Sequence, residues 1–142
     1  MSVRSTYEAE LLQRGYTTDP AQQRAIAALE RCATDWANYK QKRSNALKKM
    51  FVKPEIPRGV YMFGGVGRGK SFLMDCFFQA VPLTRKTRLH FHEFMREVHR
   101  ELQELKGTVN PLDELGKRIA RRFRLICFDE FHVADVTDAM IL

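Results

Sequence analysis

Eight consecutive residues in the middle of the chain have the spacing of a phosphate-binding loop. Residues 64–71 match the pattern G-x-x-x-x-G-K-S, and they are Gly64, Gly65, Val66, Gly67, Arg68, Gly69, Lys70 and Ser71. Glycines let backbone N–H groups turn toward phosphate oxygens, because a Cβ would block the approach or forbid the backbone angles. Lys70 would then reach the β- and γ-phosphates, and the Ser71 hydroxyl would bind Mg²⁺. The plain alternative is a glycine-rich turn without a ligand.

Two acidic residues follow an apolar segment further along the chain. Residues 125–128 are apolar, and Asp129 and Glu130 come directly after them. This pattern predicts a strand buried on both faces that carries its acids at the carboxyl end, where ligands bind in open α/β sheets. The segment has the form of a Walker B strand. Asp129 would hold Mg²⁺ through water, and Glu130 would polarise the water that attacks the γ-phosphate.

The elements around these two segments alternate between strands and helices. Residues 60–63 predict a buried parallel strand before the loop, and residues 72–78 predict a helix that Pro82 stops. Residues 88–93 predict a second strand. The next helix has Met95, Val98, Leu102 and Leu105 on one face and stops at Gly107, and another begins at Asn110 and Pro111 with Leu112, Leu115 and Ile119 on one side. With one more helix after the acidic strand, the order predicts an α/β fold whose parallel sheet is covered by helices on both faces.

The part before the loop predicts a long helix and a basic connection. Asp19 has the character of an N-cap, Pro20 fits the first helical position, and Gln22 is placed to return a capping bond. Apolar residues then recur at helical spacing, at Ala25, Ile26, Leu29, Ala33 and Trp36. The basic stretch that follows predicts a solvated helix end and an extended lead-in to the first strand, and contains Lys40, Lys42, Arg43, Lys48, Lys49, Lys53 and Arg58.

Composition limits the class of protein. The 142 residues are 44% hydrophobic, which is enough for one core, and the formal net charge is +7. A basic chain meets nucleic acid, acidic lipid or acidic protein more often, but the charge does not choose among them. Cys32, Cys76 and Cys127 lie in apolar patterns, which indicates reduced buried thiols rather than a metal site. No stretch approaches the roughly 18 apolar residues of a membrane helix, and the N-terminus has no signal core, so a cytoplasmic location is predicted.

Several motifs together resemble one family. The phosphate loop, residues 88–95, residues 127–131 and residues 135–140 occur in the order and spacing of the ZapE and AFG1-like family of AAA+ ATPases, which has bacterial cell-division and mitochondrial members. The resemblance covers nearly the whole chain from about Asp19 onward. It implies a P-loop NTPase fold of the AAA+ type, ATP and Mg²⁺ as cofactors, and ATP hydrolysis. It also implies self-association and, as partner, the tubulin-like division-ring polymer formed by an FtsZ-like protein.

Two other functions stay open. The first is a nucleic-acid-associated AAA+ ATPase such as a helicase loader, for which the basic stretch would be the contact. The second is a protein that binds nucleotide without turnover. The Asp-Glu pair at 129 and 130 favours hydrolysis over the nucleotide kinases and many GTPases, which usually lack the second acid.

The resemblance also suggests the domain organisation. Residues 1–142 would be the N-terminal part of one P-loop ATPase domain, with 1–56 as a helical lead-in and 57–142 running from the phosphate-loop strand to the Walker B strand and the helix after it. Residues 140–142 end inside an apolar helical pattern without a cap, and family members continue much further. We therefore expect a fragment that lacks the sensor strand, the arginine finger and the helical lid, and that is weak or inactive by itself.

Three further polar residues have two interpretations each. By resemblance, Gln22 would help to enclose the nucleotide base, and otherwise it is a capping residue. His90 and His92 would share one face of the second strand, because side chains alternate along a strand. The family's sheet order would place His92 near Glu130, where it either contacts neighbouring polar groups or holds the glutamate away from water until a partner binds. His132 stands where relatives often have another residue.

Overall fold

The computed structural model describes residues 2–51, 53–62, 68–129 and 140. Most of the phosphate loop, Glu130, His132 and the helix expected after the acidic strand lie outside the described residues. The chain divides into two compact units, Met1–Pro82 and Leu83–Leu142, which are described separately below. That residues 1–142 are part of one ATPase domain stays a prediction.

The first unit begins with a helix inside the expected helical lead-in, although no pattern in the sequence predicted its bounds. Helix α1 spans Val3–Arg14 and starts with a capping box in which Ser2 and Ser5 bond to each other's backbone N–H. It ends at Gly15, whose φ of 68° lies in the left-handed region that glycine adopts without strain. The buried side chains of α1 include Val3 and Tyr7. These few buried residues in a mostly polar helix explain why its periodicity was too weak to predict it.

The long helix predicted after Asp19 is confirmed. Helix α2 spans Pro20–Lys42, and the Gln22 backbone N–H donates to Asp19 Oδ1 at 2.8 Å, as expected of an N-cap. Its buried residues follow the predicted apolar face and are Ile26, Leu29, Cys32, Ala33 and Trp36. The predicted capping role of the Gln22 side chain is not what the structure shows, because its Oε1 accepts from the Tyr7 hydroxyl.

The helix after the phosphate loop is also confirmed. Helix α4 spans Arg68–Ala80 and ends before Pro82, as predicted. Its first-turn residues precede an apolar face in which Phe72, Leu73, Cys76 and Phe77 are buried. The ring of Tyr7 on α1 lies 5.6 Å from the ring of Phe72, so α1 packs directly on α4.

The segment between α2 and α4 differs from the prediction. Part of the basic stretch forms a short helix, α3 (Ala46–Phe51), which has no buried residue. Residues 60–62 form no strand, and Tyr61 is 68% exposed, so the prediction of a buried strand is wrong for these residues. A strand forms only where another backbone accepts and donates its hydrogen bonds. Instead, Arg31 on α2 donates to the carbonyls of Arg58 and Gly59 just before this segment.

The described residues before position 130 in the second unit form a small parallel sheet and two helices. Strand β1 spans Lys86–His90, helix α5 spans Phe91–Glu104, helix α6 spans Pro111–Arg122 and strand β2 spans Leu125–Asp129. The strands pair in parallel, with Lys86 opposite Leu125 and His90 opposite Asp129. The parallel pairing of the second strand with the acidic strand is therefore confirmed. The strand prediction for 91–93 is wrong, because the chain turns into α5 at Phe91.

The core of this unit lies between α5, α6 and one face of the sheet. Buried residues from both helices form it, and they are Phe91, Met95, Val98, Leu105 and Leu115. Phe128 of β2 packs against them, with its ring 4.8 Å from the ring of Phe94. The prediction that β2 is buried on both faces holds only for Cys127, since its neighbours are half-buried. Of the three apolar residues predicted on one side of α6, Leu115 is buried, whereas Leu112 is 47% exposed.

Two observations concern the remaining composition-based predictions. Cys32, Cys76 and Cys127 are buried thiols, as predicted, and burial raises the pKa of Cys32 and of Cys76. In the described part of the chain, no helix has the length and apolar character required to cross a membrane. Helices with a two-stranded parallel sheet are consistent with the predicted α/β class, and helices on both faces of a larger sheet stay a prediction.

Candidate functional site

The first turn of α4 contains the two residues that the sequence predicts to bind phosphate and Mg²⁺. Lys70 is half-buried and Ser71 is exposed, and both lie within the first four residues of the helix. The backbone N–H groups of a first helical turn have no partner inside the helix, and the helix dipole favours an anion there. Gly64, Gly65, Val66 and Gly67 lie outside the described residues, as does the side chain of Arg68.

The close packing of Gln22 against Gly69 shows how the first turn of α4 is positioned in its unit. An ideal Cβ on Gly69 would lie 2.8 Å from Nε2 of Gln22, closer than real Cβ contacts come. The carboxamide of Gln22 therefore occupies the space that a side chain at residue 69 would need. The same carboxamide accepts a hydrogen bond of 2.7 Å from the hydroxyl of Tyr7, whose residue is fully buried. Helices α1 and α2 thus hold a polar side chain against the start of α4.

This arrangement gives Gln22 a structural role that the sequence did not indicate. Its backbone N–H takes part in the predicted cap, but its side chain connects Tyr7 to Gly69. A contact with the nucleotide base stays a prediction.

The second candidate segment ends at Asp129 on β2. Both carboxylate oxygens of Asp129 accept hydrogen bonds from Arg88 on β1: Nε donates to Oδ2 at 2.8 Å and Nη2 donates to Oδ1 at 3.1 Å. The side chains of Arg88 and Asp129 are only 20% and 17% exposed. Two parallel N–H···O bonds are the geometry that guanidinium and carboxylate groups prefer. Glu130, the predicted catalytic acid, lies outside the described residues.

Arg88 is the residue at this site that the sequence analysis did not single out for a role. Arg88 is a charged residue two positions before His90, so both side chains lie on the same face of β1, which is half-buried. This was the signal that could have indicated a role for Arg88. Its partner could not be predicted from the sequence, because the pairing depends on how β1 and β2 align.

The two histidines are placed differently from the prediction. His90 is the last residue of β1, whereas His92 is exposed in the first turn of α5. They do not share a strand face, although their rings stack at 5.5 Å. Among the described residues, no group of three or more His, Cys, Asp or Glu side chains could hold a metal ion. The role of His92 as a switch for Glu130 stays a prediction.

The donor atoms at both segments suit Mg²⁺ rather than a softer metal. Ser71 offers a hydroxyl oxygen and Asp129 a carboxylate, and Mg²⁺ prefers a few oxygen ligands together with water and phosphate oxygens. The bidentate contact with Arg88 leaves each carboxylate oxygen of Asp129 with unused lone-pair capacity. The Asp129 carboxylate can therefore still accept a hydrogen bond from a metal-bound water.

Comparison with known proteins agrees with this combination of elements. The family model described as AFG1-like ATPase matches residues 1–142. The chain belongs to the AFG1-like ATPase family, so the resemblance of its motifs to this family is confirmed.

Individual relatives come from bacteria and eukaryotes. The chain is 52% identical over 95 residues to the cell division protein ZapE of Escherichia coli K12. The matched segment is 67% of this chain and 25% of that protein. It is 44% identical over 101 residues to lactation elevated protein 1 homolog B of Danio rerio, and this match covers 63% of the present chain and 20% of the relative. A Schizosaccharomyces pombe protein is 36% identical to the chain over 138 residues, and this match covers 89% of the present chain and 30% of that protein. The chain thus spans between 20% and 30% of the length of these relatives, and no solved structure matches it significantly.

Proposed function

We propose that this chain carries the nucleotide-binding elements of an AAA+ ATPase that binds and hydrolyses ATP with Mg²⁺. The observation that carries the proposal is that the G-x-x-x-x-G-K-S sequence leads directly into α4, so that Lys70 and Ser71 stand in a first helical turn. Such a turn favours phosphate through its N–H groups and its dipole. Membership of the AFG1-like ATPase family supports the same activity.

Each proposed residue has a separate task. Backbone N–H groups of residues 64–69 bind phosphate oxygens, and the Lys70 ammonium neutralises charge on the β- and γ-phosphates. Mg²⁺, when bound, would supply further positive charge, and the Ser71 hydroxyl and, through water, the Asp129 carboxylate would hold it. Glu130 orients a water molecule and accepts its proton.

Substitutions in the protein expressed from its complete gene test this activity. Lys70→Ala should abolish binding of ATP, because the phosphates lose their main cation. Glu130→Gln should keep binding and lose hydrolysis, because an amide does not accept the proton. Lys117→Ala is the matched control, since it removes an exposed lysine paired only loosely with Asp113 on α6. Hydrolysis by Glu130→Gln at the wild-type rate would contradict the assignment.

We propose further that the protein self-associates and acts in cell division, in the cytoplasm, by destabilising a tubulin-like, FtsZ-like division-ring polymer. The name of the Escherichia coli relative, a cell division protein, supports a role in cell division. In a sedimentation assay, the protein with ATP should reduce the pelleted polymer, and Glu130→Gln should not. Unchanged polymer with an actively hydrolysing protein would reject the partner and leave the ATPase proposal intact.

The exposed basic stretch is the surface that nucleic acid, the alternative partner, would contact. Lys40, Lys42, Lys48, Lys49 and Lys53 are all exposed to solvent. If they bind phosphates of DNA, affinity should fall steeply with added salt, and DNA should stimulate hydrolysis. Replacing Lys48 and Lys49 with glutamate should then weaken binding and reduce the salt dependence. DNA-independent hydrolysis combined with polymer loss would favour the division function instead.

A further inference from the structure

The contact between Arg88 and Asp129 follows from the alignment of the two strands. Arg88 lies opposite Cys127, and Asp129 is two residues further along β2. Side chains two residues apart in a strand lie on the same face, so Arg88 and Asp129 share a face of the sheet. Phe128 lies on the other face and packs against the core of this unit. One face of the sheet therefore packs against the core, and the other face carries the ion pair.

The geometry of the pair restrains the carboxylate closely. Two hydrogen bonds, of 2.8 Å and 3.1 Å, fix both oxygens of Asp129 and therefore the plane of the group. Both side chains are about four-fifths removed from solvent. Arg100 on α5 is more exposed, at 55%, and its partners Glu97 and Glu104 lie on the same helix and are 57% and 52% exposed. Exposed pairs of that kind restrain a side chain much less.

A carboxylate that holds Mg²⁺ through water must point in a defined direction. Outer groups that hydrogen-bond a ligand fix its orientation, and their loss typically weakens metal binding by about 10-fold to 100-fold. A guanidinium that binds side-on to both oxygens supplies this restraint. It leaves lone pairs on both oxygens for a metal-bound water.

We propose that Arg88 is a positioning residue for the Mg²⁺-dependent step of nucleotide binding, acting through the Asp129 carboxylate. This inference rests on the proposed function, because it takes Asp129 as the group that holds Mg²⁺ through water. Arg88 does not contact the phosphates in this role. It presets the orientation of Asp129 before Mg²⁺ and nucleotide bind.

The opposite role for Arg88 makes the opposite prediction. If its positive charge repelled Mg²⁺ or competed for Asp129, removing it would strengthen Mg²⁺-dependent binding. Positioning requires that removal weakens it. The direction of the change therefore separates the two roles.

The test measures binding of N-methylanthraniloyl-ATP to the protein expressed from its complete gene, first in EDTA and then during a Mg²⁺ titration. For Arg88→Ala, the Mg²⁺ concentration that gives half of the affinity gain should rise by about 10-fold or more, while affinity in EDTA stays unchanged. Arg88→Lys keeps the charge but loses the two-bond fork, so its shift should lie between wild type and Arg88→Ala. Arg100→Ala, which removes an exposed arginine and its ion pairs, should behave as wild type.

Each result has a separate meaning. An unchanged or lower half-saturating Mg²⁺ concentration in Arg88→Ala overturns the positioning role. Wild-type protein that does not bind the nucleotide in either condition contradicts the proposed function itself. If Arg88→Ala does not fold, as judged by its circular dichroism and melting temperature, Arg88→Lys decides, and a wild-type Mg²⁺ titration for it overturns the proposal.

Discussion

The packing of Gln22 against Gly69 predicts that the effect of a substitution at one residue depends on the other. The Cβ of Gly69→Ala would lie 2.8 Å from Gln22 Nε2, whereas ordinary contacts begin at 3.4 Å. The carboxamide must therefore move by about 0.6 Å, and because Nε2 is the far end of a flexible side chain, the main cost of this move is the strain on its hydrogen bond to Tyr7. Gly69 has no positive φ, so alanine fits the backbone and the cost comes from the contact alone.

The hydrogen bond to Tyr7 sets the size of the effect. The hydroxyl of Tyr7 has one hydrogen to donate, and Gln22 Oε1 and Thr18 Oγ1 both lie 2.7 Å from it. Displacing Gln22 therefore costs at most about 1 kcal/mol in hydrogen bonding, because Thr18 can still accept. Alanine regains up to about 1 kcal/mol through its helix propensity. These two terms are of similar size, so the net change in the free energy of unfolding expected for Gly69→Ala is within about 1 kcal/mol of zero.

The same substitution should be harmless once the carboxamide is gone. In a Gln22→Ala background the contact no longer exists, and Gly69→Ala should be neutral or stabilise by up to about 1 kcal/mol. The coupling free energy between the two sites is then about 0.5–1 kcal/mol. Urea unfolding of the nucleotide-free protein measures it, and hydrogen exchange of the α4 amides shows where the change occurs.

Gly116 on α6 is the matched control, because an ideal Cβ there has nothing within 4 Å. Gly116→Ala should raise the free energy of unfolding by about 0.5–1 kcal/mol. If the effects of Gly69→Ala and Gln22→Ala simply add, the close contact does not determine the choice of glycine, and this reasoning is refuted.

Three other predictions concern stability. Arg122→Ala removes the guanidinium whose Nη2 donates to the buried Glu101 at 3.0 Å. The free energy of unfolding, measured in urea, should fall by about 1–2 kcal/mol. Equal stability of the two proteins would contradict a role for this pair. Asp19→Ala should cost about 1 kcal/mol through loss of the α2 N-cap, and an unchanged urea midpoint would argue against it. Because burial raises the pKa of Cys76, the folded state holds that proton longer, so its stabilising contribution is complete below the unfolded pKa and declines as pH rises from about 9. Cys76→Ala should flatten the alkaline fall in melting temperature, and an equal fall in both proteins would reject this contribution.

Local signals predicted several elements correctly. Asp19 and Pro20 start α2 as expected, and the apolar residues of α2 and α5 that recur at helical spacing are mostly those that are buried. Capping and periodicity act over a few residues, so the sequence contains the whole signal. The same holds for the start of α4 after the glycine-rich loop.

Other elements depend on contacts that local patterns do not contain. The alternation of residues 88–93 fits a strand, but Phe91 enters the core beside Met95 and the chain becomes helical there. Residues 60–62 have the apolar character of a strand without a neighbouring strand to pair with among the described residues. Secondary structure at these places follows from burial and pairing partners, which tertiary packing decides.

The candidate site also has some features that the local sequence determines and others that depend on tertiary contacts. The sequence by itself determined which groups are available for chemistry, since the glycine spacing, Lys70, Ser71, Asp129 and Glu130 can be read directly from it. Only the tertiary structure decided their neighbours: the carboxamide of Gln22 against Gly69, and the guanidinium of Arg88 on Asp129. Arg88 and Asp129 are 41 residues apart in the chain, and the parallel register of β1 and β2 brings them together. Register is a property of two aligned segments, and neither segment contains it alone.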